Sequence, residues 1–271
     1  NKAIDMLPDG HSTYTINRWT ALALKSRVCL FEGTFRKYHQ LGDSEELLRE
    51  CAEASFELMS NGGYALYKTG TQPYRDLFAS NDSETGEIIL SRRYSAALGL
   101  SHNATSYTVS FTQGSPGFTK RFVNKYLNAD GTRFTDKADY TTLSLHEEMT
   151  DRDPRMSQTV FKPGTYIRKG ENNVSKFSMK VSITGYQIIK YAMESKYDVY
   201  NISECDMPLF RLAECYLNYA EAKAELGEIT QEDLDCSINL IRERAGMPYL
   251  HLDDANAHPD SYMLSLYPNT T

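Results

Sequence analysis

The acidic stretch Glu147, Glu148, Asp151 and Asp153 has the composition of a carboxylate pair for glycoside cleavage, but such pairs must face each other across a cleft. Four carboxylates within seven residues read better as a solvated helix end. His146-Glu147-Glu148 lacks the second histidine of a zinc-binding helix, and the chain has no Gly-x-Ser-x-Gly, Gly-x-x-x-x-Gly-Lys-Ser/Thr or Gly-x-Gly-x-x-Gly run. Asn128-Ala129-Asp130-Gly131 resembles the middle of a calcium loop, yet Tyr126 and Lys137 stand at its first and twelfth ligand positions, so a tight turn is the better reading. His251 and His258 are spaced too widely to clamp a metal from one turn. Cys29, Cys51, Cys205, Cys215 and Cys236 form no Cys-x-x-Cys pair and are expected to be buried free thiols on helices. The expectation is therefore no catalytic residue, no metal and no cofactor.

The remaining candidates are rings. The chain has 19 Tyr, 11 Phe and 1 Trp. Tyr94, Tyr107, Phe111 and Tyr166 lie among Ser, Thr, Asn, Gln and Arg, where nothing in the pattern buries them. Flat rings beside directed hydrogen-bonding groups suit the apolar face of a pyranose. Trp19 and Tyr216, by contrast, sit within helical patterns and are expected to be scaffold.

Those rings must be held by something, and the periodicity supplies it. Leu24, Val28, Phe31, Phe35 and Tyr38 recur at helical spacing over 17–38 and predict one apolar stripe. Asp43, with Glu46 three residues on, predicts the cap of a second helix carrying Leu48, Ala52, Phe56 and Met59 and ending at Gly62-Gly63. Leu209, Leu212, Ala213, Tyr216, Ala220 and Ala224 predict a third helix over 208–226. Thr230 and Asp233 then open a fourth, which carries Leu234, Ile238, Ile241 and Ala245 and stops at Gly246 and Pro248. The expected fold is all-α, with helical hairpins about 17–60 and 208–246 of the tetratricopeptide type and a loop-rich excursion about 64–204. Loops on a rigid scaffold are where binding residues concentrate. Arg211, Glu214, Glu221, Arg242 and Arg244 are expected to form scaffold ion pairs.

The segments MPLFRLAECYLNYAEAKAELG at 207–227 and INLIRERAGMP at 238–248 are similar to signature helices of the SusD/RagB family. RWTALALKSRVCLFEG at 18–33, GEIILSRRY at 86–94, NADGT at 128–132, RDPRMSQTVFKPG at 152–164 and TGYQIIKY at 184–191 agree in order. The resemblance implies a single SusD-like domain over 1–271 with a tetratricopeptide-like α-α superhelix. It also implies a glycan-binding outer-membrane lipoprotein that delivers its ligand, uncleaved, to a SusC-like TonB-dependent transporter. Family members begin at a lipidated cysteine and continue past the Gly-Met-Pro segment. The earliest cysteine here is Cys29 and the sequence stops at Thr271, so the chain is expected to be a fragment lacking both termini. The alternative reading is a helical-repeat adaptor that binds a protein or peptide in a groove.

Composition agrees with either reading. Over 271 residues, 29 Lys and Arg stand against 36 Asp and Glu, a net charge of −7, which leaves no basic footprint for nucleic acid. Hydrophobic residues at 41% and charged residues at 24% exclude intrinsic disorder, and no apolar run reaches the ~20 residues that cross a bilayer.

Overall fold

A computed structural model describes residues 1–83 and 85–268. In chain order its helices and strands are α1 (Arg18–Tyr38), α2 (Ser44–Asn61), α3 (Pro73–Phe78), β1 (Ile88–Arg92), α4 (Ala104–Val109), α5 (Lys120–Val123), α6 (Leu145–Glu148), β2 (Met207–Arg211), α7 (Leu212–Glu225), α8 (Gln231–Asp235), α9 (Ile238–Ala245), α10 (Leu252–Ala257) and α11 (Ser261–Leu266). The fold is mainly helical, with long helices at the two ends and irregular chain between them, as the periodicity predicts.

Local chemistry starts and stops the long helices. Asn17 caps α1 by accepting from the Thr20 amide at 2.9 Å, and Thr230 with Asp233 forms the capping box of α8. Gly246 ends α9 in the left-handed region at φ 72°, and Met247 N–H returns to the Arg242 carbonyl at 2.9 Å. Asp43 departs from expectation. It lies at φ 66° with no side-chain cap, and its carboxylate turns to Arg36 at 3.6 Å instead.

α1, α2 and α7 pack against one another around the main core, which includes Trp19, Leu22, Leu58, Leu212 and Tyr216. The face that α1 buries is not the expected one. Leu24, Val28, Phe31, Phe35 and Tyr38 are all 43% exposed or more, while Trp19, Leu22, Ala23, Ser26, Leu30 and Gly33 are buried. The buried face carries the smaller residues, and that lets the helix axes approach. A Cβ on Gly33 would stand 3.0 Å from Leu48 of α2. Within this contact the Ser26 and Ser55 hydroxyls lie 2.7 Å apart and Asn218 donates to Ser26 at 2.9 Å. Three buried polar groups are thereby satisfied among themselves. On α2, Leu48 and Ala52 are buried as expected, but Phe56 is 49% exposed and lies against Tyr219 with ring centroids 5.8 Å apart. On α7, Ala220 and Ala222 are buried, whereas Ala224 is exposed.

Two boundaries also differ. Residues 207–211 form β2, antiparallel to β1, so the third helix begins at Leu212 and Leu209 is half-exposed. The expected helix over 231–245 is divided between α8 and α9. Ser237 leaves helical geometry at φ −136°, ψ −91°, and its hydroxyl donates to the Asp233 carbonyl, a local bond that competes with the helix ladder.

The excursion is fastened to the scaffold at Glu87, beside β1. Its carboxylate, 0% exposed, accepts from Arg211 Nη1 at 2.9 Å, Arg244 Nη1 at 2.7 Å and the Tyr67 amide at 2.8 Å. The Leu212 amide donates to the Glu87 carbonyl at 3.0 Å. Arg27 pairs with Glu214, so Arg211, Glu214 and Arg244 are scaffold ion pairs as expected. Arg242 instead donates to the Pro248 carbonyl.

Candidate functional site

Beyond β1 the chain turns at Tyr94, and Asp206, which is buried, sets that turn. Its Oδ1 accepts from the Tyr94 amide at 2.9 Å, and its Oδ2 accepts from the Ser83 amide at 3.2 Å and the Tyr14 hydroxyl at 2.7 Å. The Tyr94 ring meets His102 edge-on at 4.5 Å and has the Arg92 guanidinium 5.0 Å from its centre. It is therefore half-buried and braced from both sides.

His102 lies within 2.8 Å of the Cys205 carbonyl through Nε2, and Nδ1 accepts from the Ala104 amide at 3.1 Å. That pair of bonds assigns the neutral imidazole with its proton on Nε2. Burial pushes its pKa below the ordinary value.

α4 follows directly. Thr105, Ser106 and Thr108 face inward, with Thr105 Oγ1 donating to the Tyr191 carbonyl at 3.0 Å. Tyr107 consequently points outward, 46% exposed, and Phe111 is 64% exposed just past the end of the helix. Ser115 Oγ, between them and the next turn, donates to the carbonyls of Phe111 at 3.2 Å and Lys180 at 3.0 Å. The Ile183 amide in turn donates to the Ser115 carbonyl at 3.0 Å. The Phe111 loop is thus tied to a second loop that exposes Met179 and Ile183. A third loop joins the start of α4, where Asn103 accepts from the Asn201 amide and Ser101 Oγ donates to the Asn201 carbonyl at 2.7 Å. It carries Tyr200, 61% exposed. Tyr200, outside the expected set, sits in Asp-Val-Tyr-Asn with polar flanks like those of Tyr94 and Tyr107.

Tyr166 does not join this surface. The turn at Lys162–Tyr166, with Gly164 at φ 81°, folds its ring back onto Phe161 at 4.9 Å, and Tyr166 is 5% exposed in a cluster with Ile189 and Ala192. Burial pushes the phenol up to about 12, and its hydroxyl has no hydrogen-bond partner among the described residues. The ring that looked solvent-facing in sequence is core.

The acidic cluster also differs from a solvated helix end. Glu147 caps α6 through Ser144, but Glu148 is 2% exposed, pairs with Lys120 and accepts from the Tyr186 hydroxyl at 2.6 Å. Asp153 is buried against Arg155 at 2.5 Å. Both buried carboxylates are committed to structural partners. Asp130 behaves as the turn residue expected, accepting from the Thr132 amide at 2.9 Å. Cys51, Cys205 and Cys215 are buried and Cys29 and Cys236 are half-buried, all five as free thiols, although Cys205 and Cys236 lie outside any helix.

The fold has solved counterparts. A SusD-like protein from Bacteroides fragilis superposes with a TM-score of 0.69 at 23% identity, covering 94% of this chain and 52% of that one. A SusD-like carbohydrate-binding protein from the same species superposes at 0.66 with 23% identity, over 92% of this chain and 49% of that one. A third structure, determined with a xylogluco-oligosaccharide, superposes at 0.61 with 21% identity, over 93% and 49%. This chain therefore spans about half the length of the structures it matches. No curated protein matches it in sequence. The sequence model of the SusD family matches residues 86–265, from the start of β1 through the second hairpin. Since that stretch is more than half of the chain and contains the hairpin, the Glu87 hub and the ring-bearing loops described above, the protein belongs to the SusD family.

Proposed function

We propose that this chain binds oligosaccharide or polysaccharide without cleaving it, at a bacterial outer-membrane surface, for delivery to a SusC-like TonB-dependent transporter. Membership of the SusD family carries the reading. The carbohydrate-binding and oligosaccharide-bound proteins that share the fold support it. Within the chain, the surface that fits is the excursion face bearing Tyr107 and Phe111, with Tyr200 on the adjoining loop and Tyr94 braced behind. Each exposed ring offers a flat apolar area of the kind that stacks on a pyranose, beside hydroxyl and amide groups that orient it.

The test is affinity electrophoresis and calorimetry of the purified chain against a panel of neutral plant and bacterial oligosaccharides. Tyr107→Ala and Phe111→Ala are expected to weaken binding while Tyr166→Phe leaves it unchanged. Parental affinity in both alanine variants would move the site elsewhere, and steady release of reducing sugar would replace binding by catalysis.

A further inference from the structure

A second feature adjoins the Glu87 hub through Arg211 and Arg244. Between α7, α9 and the excursion is a cavity of about 410 Å³, a volume within the range of small-molecule sites. Lys125, Arg155, Arg211 and Arg244 all line it, and Asp153 is the carboxylate in its wall. Their pairing is incomplete. Arg155 is matched by Asp153, but Arg211 and Arg244 share the single carboxylate of Glu87. Arg244, with its side chain 2% exposed, gives Nη1 to Glu87 and leaves its buried Nε without an acceptor among the described residues. Burial pushes the Arg244 guanidinium down from its ordinary value; the Glu87 carboxylate opposes this and the neighbouring Arg211 charge adds to it. Four cations against two carboxylates leave this cavity short of negative charge.

Guanidinium groups in a fixed array accept planar oxyanions through paired N–H bonds, and carboxylate matches that geometry. Rings share the lining with these cations. Tyr74 and Tyr126 line the same space, and the Arg244 guanidinium lies 5.7 Å from the centre of the Tyr74 ring. A cationic wall beside flat rings suits a ligand that joins a carboxylate to a sugar ring.

We propose that this cavity binds a uronic acid residue of an acidic glycan, its carboxylate received by Arg155, Arg211 and Arg244 and its ring laid against Tyr74 and Tyr126. The assignment rests on the glycan-binding reading and narrows it to a substrate class.

The experiment titrates the chain with trigalacturonate and with its methyl ester, which keeps the rings and removes the charge. The acid is expected to bind about tenfold or more tighter, as the loss of a single charge-assisted hydrogen bond predicts. Leu217→Trp narrows the cavity from its rim, and because Leu217 is 45% exposed it spares the core. This variant and Lys125→Glu are each expected to lose about that same factor for the acid, with circular dichroism unchanged, while Phe31→Ala, on the exposed face of α1, keeps parental affinity. Equal affinity for acid and ester overturns the proposal, as does full retention in both cavity variants. Displacement of trigalacturonate by polyglutamate at equal potency overturns the sugar assignment in favour of a polypeptide carboxylate. Binding of neutral oligosaccharides with none of trigalacturonate overturns the uronate site alone, whereas no binding of any glycan overturns it together with the broader reading.

Discussion

Glu87 Oε2 and Arg244 Nη1 lie 2.7 Å apart with the Glu87 side chain 0% and the Arg244 side chain 2% exposed, and 157 residues of chain separate them. This contact holds the first strand of the excursion to the last long helix of the scaffold. A buried charge left without its partner costs about 3–5 kcal/mol, and removing Glu87 would strand Arg211 as well. Glu87→Ala is therefore expected to lose at least that amount in urea unfolding at neutral pH. A loss under about 1 kcal/mol would mean that water replaces the carboxylate freely.

α7 has a packed edge and a wet edge. Ala222 is 0% exposed and Ala220 is 2% exposed, so a leucine at either position is expected to cost about 1–3 kcal/mol by overpacking. Ala224→Leu, on the exposed edge, is expected to stay within about 0.5 kcal/mol of the parent. Thermal melts of the three variants check the ordering.

On α1, Trp19 is 7% exposed and donates Nε1–H to the Asp9 carbonyl at 3.1 Å. Trp19→Ala is expected to cost about 3–5 kcal/mol. Phe31, 69% exposed, is expected to tolerate Phe31→Ala within about 0.5 kcal/mol. Comparable losses for both would show that the outer stripe of α1 is covered in solution.

Tyr166 buries a hydroxyl that has no partner among the described residues. Tyr166→Phe removes the unsatisfied group and keeps the ring against Phe161, so it is expected to stabilise the chain by about 1 kcal/mol. Calorimetric melting of the variant beside the parent measures the sign.

His102 is held neutral, with its pKa pushed below the ordinary imidazole value by burial. The unfolded chain therefore binds a proton more readily than the folded one as pH falls below about 6.5. Stability is complete above that pH and declines beneath it. Replacing the ring by His102→Gln is expected to flatten this part of the stability profile between pH 7 and 5, as read by urea midpoints.

Much of the scaffold was legible because its signals are local. Thr230 with Asp233, and Gly246, start or stop helices through bonds to residues three to five positions away, and such bonds require no knowledge of the rest of the chain. The position of the excursion between two hairpins followed from where those signals are absent. The alternation of polar residues with rings over 94–111 likewise pointed to Tyr107 and Phe111, which the structure leaves exposed.

What the sequence did not determine depended on partners far along the chain. α1 carries two apolar faces. The larger side chains of Leu24, Val28 and Phe31 favoured the wrong one, because the choice rests on how closely α2 and α7 can approach the small residues Ala23, Ser26 and Gly33. Residues 207–211 continue a helical pattern in sequence and become a strand only because β1, more than a hundred residues earlier, supplies the ladder. Tyr166 has polar neighbours in sequence and apolar ones in space, where Phe161 and Ile189 enclose it. The four cations of the cavity come from residues 125, 155, 211 and 244, a spacing without a motif. Sequence alone determined the Thr230–Asp233 capping box, the stop at Gly246, the existence of the long helices and the family. Tertiary structure decided which faces are dry and which charges share a wall, since burial and Coulomb energy act through distance in space, whatever the separation along the chain.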